Sequence, residues 1–135
     1  MARSVSFNQA VHPEYASAML GLVFEKMISD GVDATREYAR EVGEWNDLKR
    51  RGWFAVAHHL RNAFSHNGRW HFERHAIVPA AWRGYRVDRE LSGQPAAGFL
   101  SWFDGTQLLD CMLLYVQGVV DVGLQQVRGG GGPFL

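Results

Sequence analysis

His58-His59-Leu60-Arg61-Asn62-Ala63-Phe64-Ser65-His66-Asn67-Gly68 is the stretch that decides how this chain folds. It closes on Asn67-Gly68, a dipeptide suited to a left-handed helix stop, and its apolar residues recur at helical spacing. At 100° per residue, Trp53, Ala57, Leu60 and Phe64 fall on one narrow stripe, which Val56 and Ala63 widen, so this side is expected to be buried. His58, Arg61, Asn62 and Ser65 lie roughly opposite, with His59 and His66 at the far edge of that polar face. The residue types suit a phosphodiester: a guanidinium for phosphate, an imidazole that changes charge near neutral pH, and an amide to orient either. Arg61 and His66, five residues apart, stand about 140° from each other on a regular helix, whereas His58, Asn62 and His66 form a true stripe.

Outward from this segment the rest reads as helix with one interruption. Pro13 suits a first helical position, and Tyr15, Met19, Leu22 and Met27 carry a helical period over residues 13–29, with Gly31 as the expected stop. Asp33 or Thr35 is placed to cap a short second helix through Tyr38 to Val42 and Gly43, and Asn46 or Asp47 to open the third, which ends at Asn67-Gly68. Residues 68–97 lose the helical period and turn rich in aromatics and arginine. Alternation in Trp82-Arg83-Gly84-Tyr85-Arg86-Val87 predicts a strand, expected to pair with Trp70-His71-Phe72, and Ser92-Gly93-Gln94-Pro95 carries turn signals. A fourth helix is expected from Phe103 or Gly105 to Val127, with Gln107, Asp110, Gln117, Asp121 and Gln125 as a narrow polar stripe beside a wide apolar face. The expectation is an all-α fold, a four- to five-helix bundle with a small β-hairpin excursion before the last long helix. Residues 1–10 form an N-terminal arm, 11–127 the helical domain and 128–135 a flexible Gly-rich tail.

Composition narrows the function classes. The 135 residues suffice for one domain with a real core. Twelve arginines and two lysines balance 14 acidic residues, so any attraction to phosphate has to be local. Cys111 is the only cysteine, which rules out an intrachain disulfide and suits a reducing compartment; inside an apolar run it reads as a small buried residue. The first ten residues lack a signal-peptide core and no stretch reaches about 18 uninterrupted apolar residues, so a cytoplasmic protein without membrane contact is expected. Six histidines raise a zinc hypothesis, but with no CxxC pair or HExxH motif, and with His71 and His75 outside a helix, neither a metal nor another cofactor is expected. No Gly-rich phosphate loop precedes a helix and no Ser-His-Asp or Cys-His pattern stands out, which disfavours nucleotide hydrolysis and acyl transfer. The Trp and Arg residues of 68–97 suit either stacking on RNA or covering a small core. By residue type alone, a helical face of Arg, Asn, Ser and His is most often simply solvated.

Arg61-Asn62-Ala63-Phe64-Ser65-His66-Asn67-Gly68 at the end of a third helix resembles the HEPN superfamily, whose hallmark is Arg, a polar next residue, a few variable positions and His. The Gly after the His, Trp82-x-Gly84 in a short β excursion and the long apolar last helix extend the resemblance over roughly residues 10–127, to small stand-alone bacterial members. Catalytic members are metal-independent endoribonucleases that dimerise so that two motif helices face each other across a groove. The resemblance implies that His66 acts as general base or acid at the ribose 2′-hydroxyl or the leaving 5′-oxygen, that Arg61 binds the scissile phosphate, and that Asn62 orients one of these groups, giving a 2′,3′-cyclic phosphate. His58, Ser65 and Arg69 are added as substrate-binding candidates, His58 and Ser65 from the helix angles alone. A facing-helix homodimer would let two chains supply Arg61 and His66 to one composite site. RNA as substrate, a toxin or phage-defence role and an antitoxin or regulatory partner are the expectations that follow. The alternatives are a non-catalytic HEPN-like RNA- or nucleotide-binding or dimerisation module and a purely structural helical protein.

Overall fold

The structure, a computed structural model, describes residues 13–118. Over these residues the chain is mostly helical: α1 (Pro13–Glu41), α2 (Trp45–Leu48), α3 (Gly52–Ser65) and α4 (Trp102–Val116), with a two-stranded hairpin, β1 (Ala80–Trp82) and β2 (Tyr85–Val87), between α3 and α4. A 3₁₀ turn, Arg89–Leu91, follows the hairpin. The arm, the tail and the expected continuation of the last helix through residues 119–127 lie outside the described residues.

Three expected boundaries move, each for a physical reason. Gly31 does not stop the first helix: α1 runs unbroken through it, and its missing side chain makes room for Met112 of α4. A Cβ there would lie 3.1 Å from Met112 Cε and 3.2 Å from its sulfur. The two expected caps of a second helix are engaged otherwise, Thr35 Oγ1 donating to the Gly31 carbonyl at 2.6 Å inside the helix and Asp33 reaching sideways to arginines. The true stop is Gly43 (φ 78°), where Gly43 N–H donates to Arg40 O and Glu44 N–H to Ala39 O at 2.7 Å, the paired bonds of a Schellman cap. The third helix does not begin at Asn46 or Asp47. Residues 45–48 form the separate α2, Arg51 is extended (φ −75°, ψ 134°), and α3 starts at Gly52, whose missing Cβ leaves room for the carbonyl oxygen of Ala81. The stretch of the last helix that begins at Trp102 ends at Val116, with Gly118 left-handed (φ 78°) and its N–H on Tyr115 O.

The expected end of α3 holds. Asn67 takes φ 61°, Gly68 φ 74°, and Gly68 N–H donates to Ala63 O at 2.9 Å. Strand pairing differs from expectation: Tyr85–Val87 pairs antiparallel with Ala80–Trp82 across the two-residue turn Arg83-Gly84, both left-handed (φ 53° and 84°), and not with residues 70–72. Trp70 instead exchanges backbone bonds with Gly93 and Gln94, and Ala96 N–H donates to Gly68 O, so the turn at 92–95 closes the excursion onto its own start.

That closure changes the burial of α3. Residues 53–57 are all buried, and so is His59 at 3% exposure, although the sequence pattern predicts one buried stripe and a polar His59. The helix is central: Ile28 and Val32 of α1 with Leu108 and Met112 of α4 share its core, while Trp70, Ala80 and Val87 from the excursion belong to the same buried cluster. Residues 68–97 thus cover the second side of α3. Ser101 Oγ caps α4 by accepting from Asp104 N–H, and Asp104 accepts from Tyr85 OH at 2.6 Å and pairs with Arg83, which ties the hairpin to the start of α4. No helix among the described residues is long and apolar enough to cross a membrane.

Candidate functional site

The last two turns of α3 carry the candidate residues, and the structure divides them between three neighbours. Arg61 reaches back to α1: its Nε donates to Asp33 Oδ1 at 3.1 Å, Nη2 to Asp33 Oδ2 at 3.4 Å, and Nη1 to Ser65 Oγ at 3.4 Å. Arg36 Nη2 donates to the same Asp33 Oδ1 at 2.9 Å. Two guanidiniums therefore share one carboxylate, which leaves a net positive charge on the α1–α3 seam and a planar donor array suited to phosphate. The sequence pattern offers Asp33 only as a helix cap and does not single out Arg36.

Asn62 turns the other way. Its Nδ2 lies 3.4 Å from His58 Nε2. His58 stacks on Phe54 with ring centroids 5.9 Å apart, and its pKa is lowered to about 4, first by burial and then by the positive charge of His59, Arg36 and Arg61, against an opposing pull from Asp33. A neutral His58 accepting from Asn62 at Nε2 carries its proton on Nδ1, which is buried and unpartnered. His59 is held down likewise by burial, with its Nε2 2.9 Å from the carbonyl oxygen of Ile77 as donor, and it packs edge-on against Phe72. This makes His59 a pin for the 73–77 segment.

His66 is the C-cap residue of α3, exposed, and stacks on His71 with ring centroids 4.1 Å apart and planes 25° from parallel. Within one chain Arg61 and His66 thus face different partners, as their angular separation predicts. Ser65 donates to the carbonyls of Arg61 and Asn62 at 3.2 and 3.1 Å, the ordinary back-bonding of a helical serine. Arg69 Nη1 donates to Gly93 O at 2.8 Å, so this guanidinium also braces the closed excursion.

Beside Asn62 and His58 lies a cleft of about 240 Å³ between α2, α3 and the 73–77 segment, walled by Trp45, Phe54 and Ile77 and rimmed by Lys49, Glu73 and His75. Among the described residues no group of three or more His, Cys, Asp or Glu side chains is arranged to hold a metal ion. Cys111 is half-buried and its thiol is pushed up to about 11 by burial, next to the charge of Asp110, which suits packing and not nucleophilic attack. No family model, curated protein or solved structure matches the chain.

Proposed function

We propose that this chain is a metal-independent endoribonuclease of HEPN type, working as a homodimer in the cytoplasm. One observation carries the reading: a guanidinium pair sharing a single carboxylate sits on the same end of α3 from which an exposed, ring-stacked imidazole emerges. In the reaction His66 accepts the proton of a ribose 2′-hydroxyl and the 2′-oxygen attacks the adjacent phosphorus. The bond to the 5′-oxygen breaks, that oxygen takes up a proton, and a 2′,3′-cyclic phosphate and a 5′-hydroxyl end remain. Arg61, with Arg36 beside it, offsets the charge that builds on the phosphoryl oxygens, and Asn62 orients one of the reacting groups.

Dimerisation is supported by α1. Tyr15, Met19 and Leu22 are 66–68% exposed, and with Lys26 and Asp33 they fall within a sector of about 60° on that helix. An apolar face running into the Arg61–Asp33 pair suits a second copy of this chain, whose docking there brings two motif ends together. A toxin or phage-defence role with an antitoxin partner rests on the resemblance alone.

The test is incubation of the purified protein with RNA in EDTA, alongside Arg61→Ala and His66→Ala. Cleavage by the wild type that both substitutions abolish is expected, with cyclic-phosphate ends; equal cleavage by the variants would attribute the activity to a contaminant and overturn the proposal. The engagement of Arg61 by Asp33 favours a second reading, a binding module in which the motif arginine is structural. That reading predicts RNA binding with no cleavage.

A further inference from the structure

The cleft beside Asn62 has features that the cleavage chemistry does not use. Its lining includes Trp45, packed edge-to-face at 5.8 Å on the buried Phe54, with Ile77, and its volume of about 240 Å³ is below the roughly 300 Å³ at which pockets for drug-sized ligands begin. That size suits one flat ring system. Three polar side chains at its rim, Lys49, Glu73 and His75, have no hydrogen bond or ion pair among the described residues. The wall that bears Glu73 and His75 is nevertheless built firmly. Arg89 Nη2 donates to the carbonyls of Glu73 and Arg74 at 3.0 Å each, Ala76 N–H closes a turn onto Glu73 O, and His59 holds Ile77. A pinned wall that brings an unpaired carboxylate into the same cleft as an unpaired ammonium suits a ligand that brings both donors and acceptors.

We propose that this cleft binds a guanine base of the RNA substrate, stacked against its aromatic wall, with Glu73 accepting from the base N1–H and N2–H₂ and Lys49 donating to its O6 and N7. Guanine fits because it sets two adjacent donors beside acceptors on the neighbouring edge. Adenine offers an acceptor where the carboxylate needs a donor, and the pyrimidines lack the second ring that fills the cleft. An unstacked base held against aromatic side chains is the usual form of sequence-specific RNA recognition. The proposal rests on the ribonuclease reading. Asn62, which lines the cleft, is the motif residue that would link a base held here to the cleavage site.

Two measurements test it separately from cleavage. Calorimetric titration of the His66→Ala protein with guanosine 5′-monophosphate and the three other ribonucleoside monophosphates should give binding at least tenfold tighter for the guanine nucleotide. Glu73→Gln and Lys49→Met should each remove that preference while the far-ultraviolet circular dichroism stays unchanged. Four equal affinities, no binding at millimolar nucleotide, or a preference that survives Glu73→Gln would overturn the proposal. RNA cleavage mapped on oligonucleotides differing at a single position should fall next to guanosine. Cleavage without base preference overturns the cleft assignment and leaves the ribonuclease standing, whereas guanine-selective binding without any cleavage overturns the ribonuclease and leaves the cleft assigned.

Discussion

Replacing His58 by Phe should make the fold less sensitive to acid. In the folded chain His58 is kept neutral, its pKa lowered to about 4 from 6.5, chiefly by burial. In the unfolded chain the same imidazole takes up a proton near pH 6.5. Between these two values the unfolded state binds a proton that the folded state does not, so stability is fully present above pH 6.5 and is lost as pH falls toward 4. At about 1.4 kcal/mol per pH unit, going from pH 7 to pH 4.5 removes about 2.5 kcal/mol through this one residue. His59, held down by burial in the same way, adds a loss of the same sign. Phenylalanine keeps the stack on Phe54 and has nothing to protonate. Urea unfolding of wild type and His58→Phe at the two pH values should show the wild type losing about 2 kcal/mol more than the variant. Carboxylates common to both proteins cancel in that comparison. An equal loss in the two proteins would refute the buried, neutral His58, and with it the tautomer assigned to the Asn62 contact.

Other consequences are as direct. Asp33→Asn leaves Arg61 and Arg36 facing each other without their shared carboxylate; since both side chains and Asp33 are partly exposed, unfolding should show a loss of no more than about 1 kcal/mol, while RNA cleavage should fall tenfold or more through misplacement of Arg61. Gly105→Ala drives a methyl group into the Phe24 ring, and Gly52→Ala drives one into the carbonyl oxygen of Ala81. Thermal unfolding should show Gly105→Ala costing about 1–3 kcal/mol and Gly52→Ala more, because a ring can tilt and a strand carbonyl cannot. His71→Ala removes the ring on which His66 rests; the cleavage rate should drop and the unfolding midpoint should hardly move.

Local signals in the sequence were legible where one residue's backbone preference decides the outcome. Asn67-Gly68 ends α3 and Gly43 ends α1, each by adopting the left-handed conformation that few residues tolerate. Gly31 misled because the same residue type serves two purposes: here the missing side chain admits Met112 and the helix continues. The turn at Arg83-Gly84 was hidden by an arginine at φ 53°, which no turn pattern singles out, and so the strand partner was placed too early. The polar face of α3 was read correctly at Arg61, Asn62 and Ser65. It failed at His59, because a helical period records one buried side and says nothing of an excursion that returns to bury the other. The site showed the same divide. Arg61, Asn62 and His66 are a local pattern, whereas Asp33, Arg36, Lys49 and Glu73 join them only through packing between elements far apart in the chain.

The central claim is that each active centre takes Arg61 from one chain and His66 from another. Arg61→Ala and His66→Ala proteins, each inactive, can be unfolded together, refolded as a mixture and assayed on RNA in EDTA. Half of the randomly paired dimers then contain one centre with both residues intact, so about a quarter of wild-type activity should return, while either variant refolded alone stays inactive. A mixture as inactive as its components would contradict the shared site.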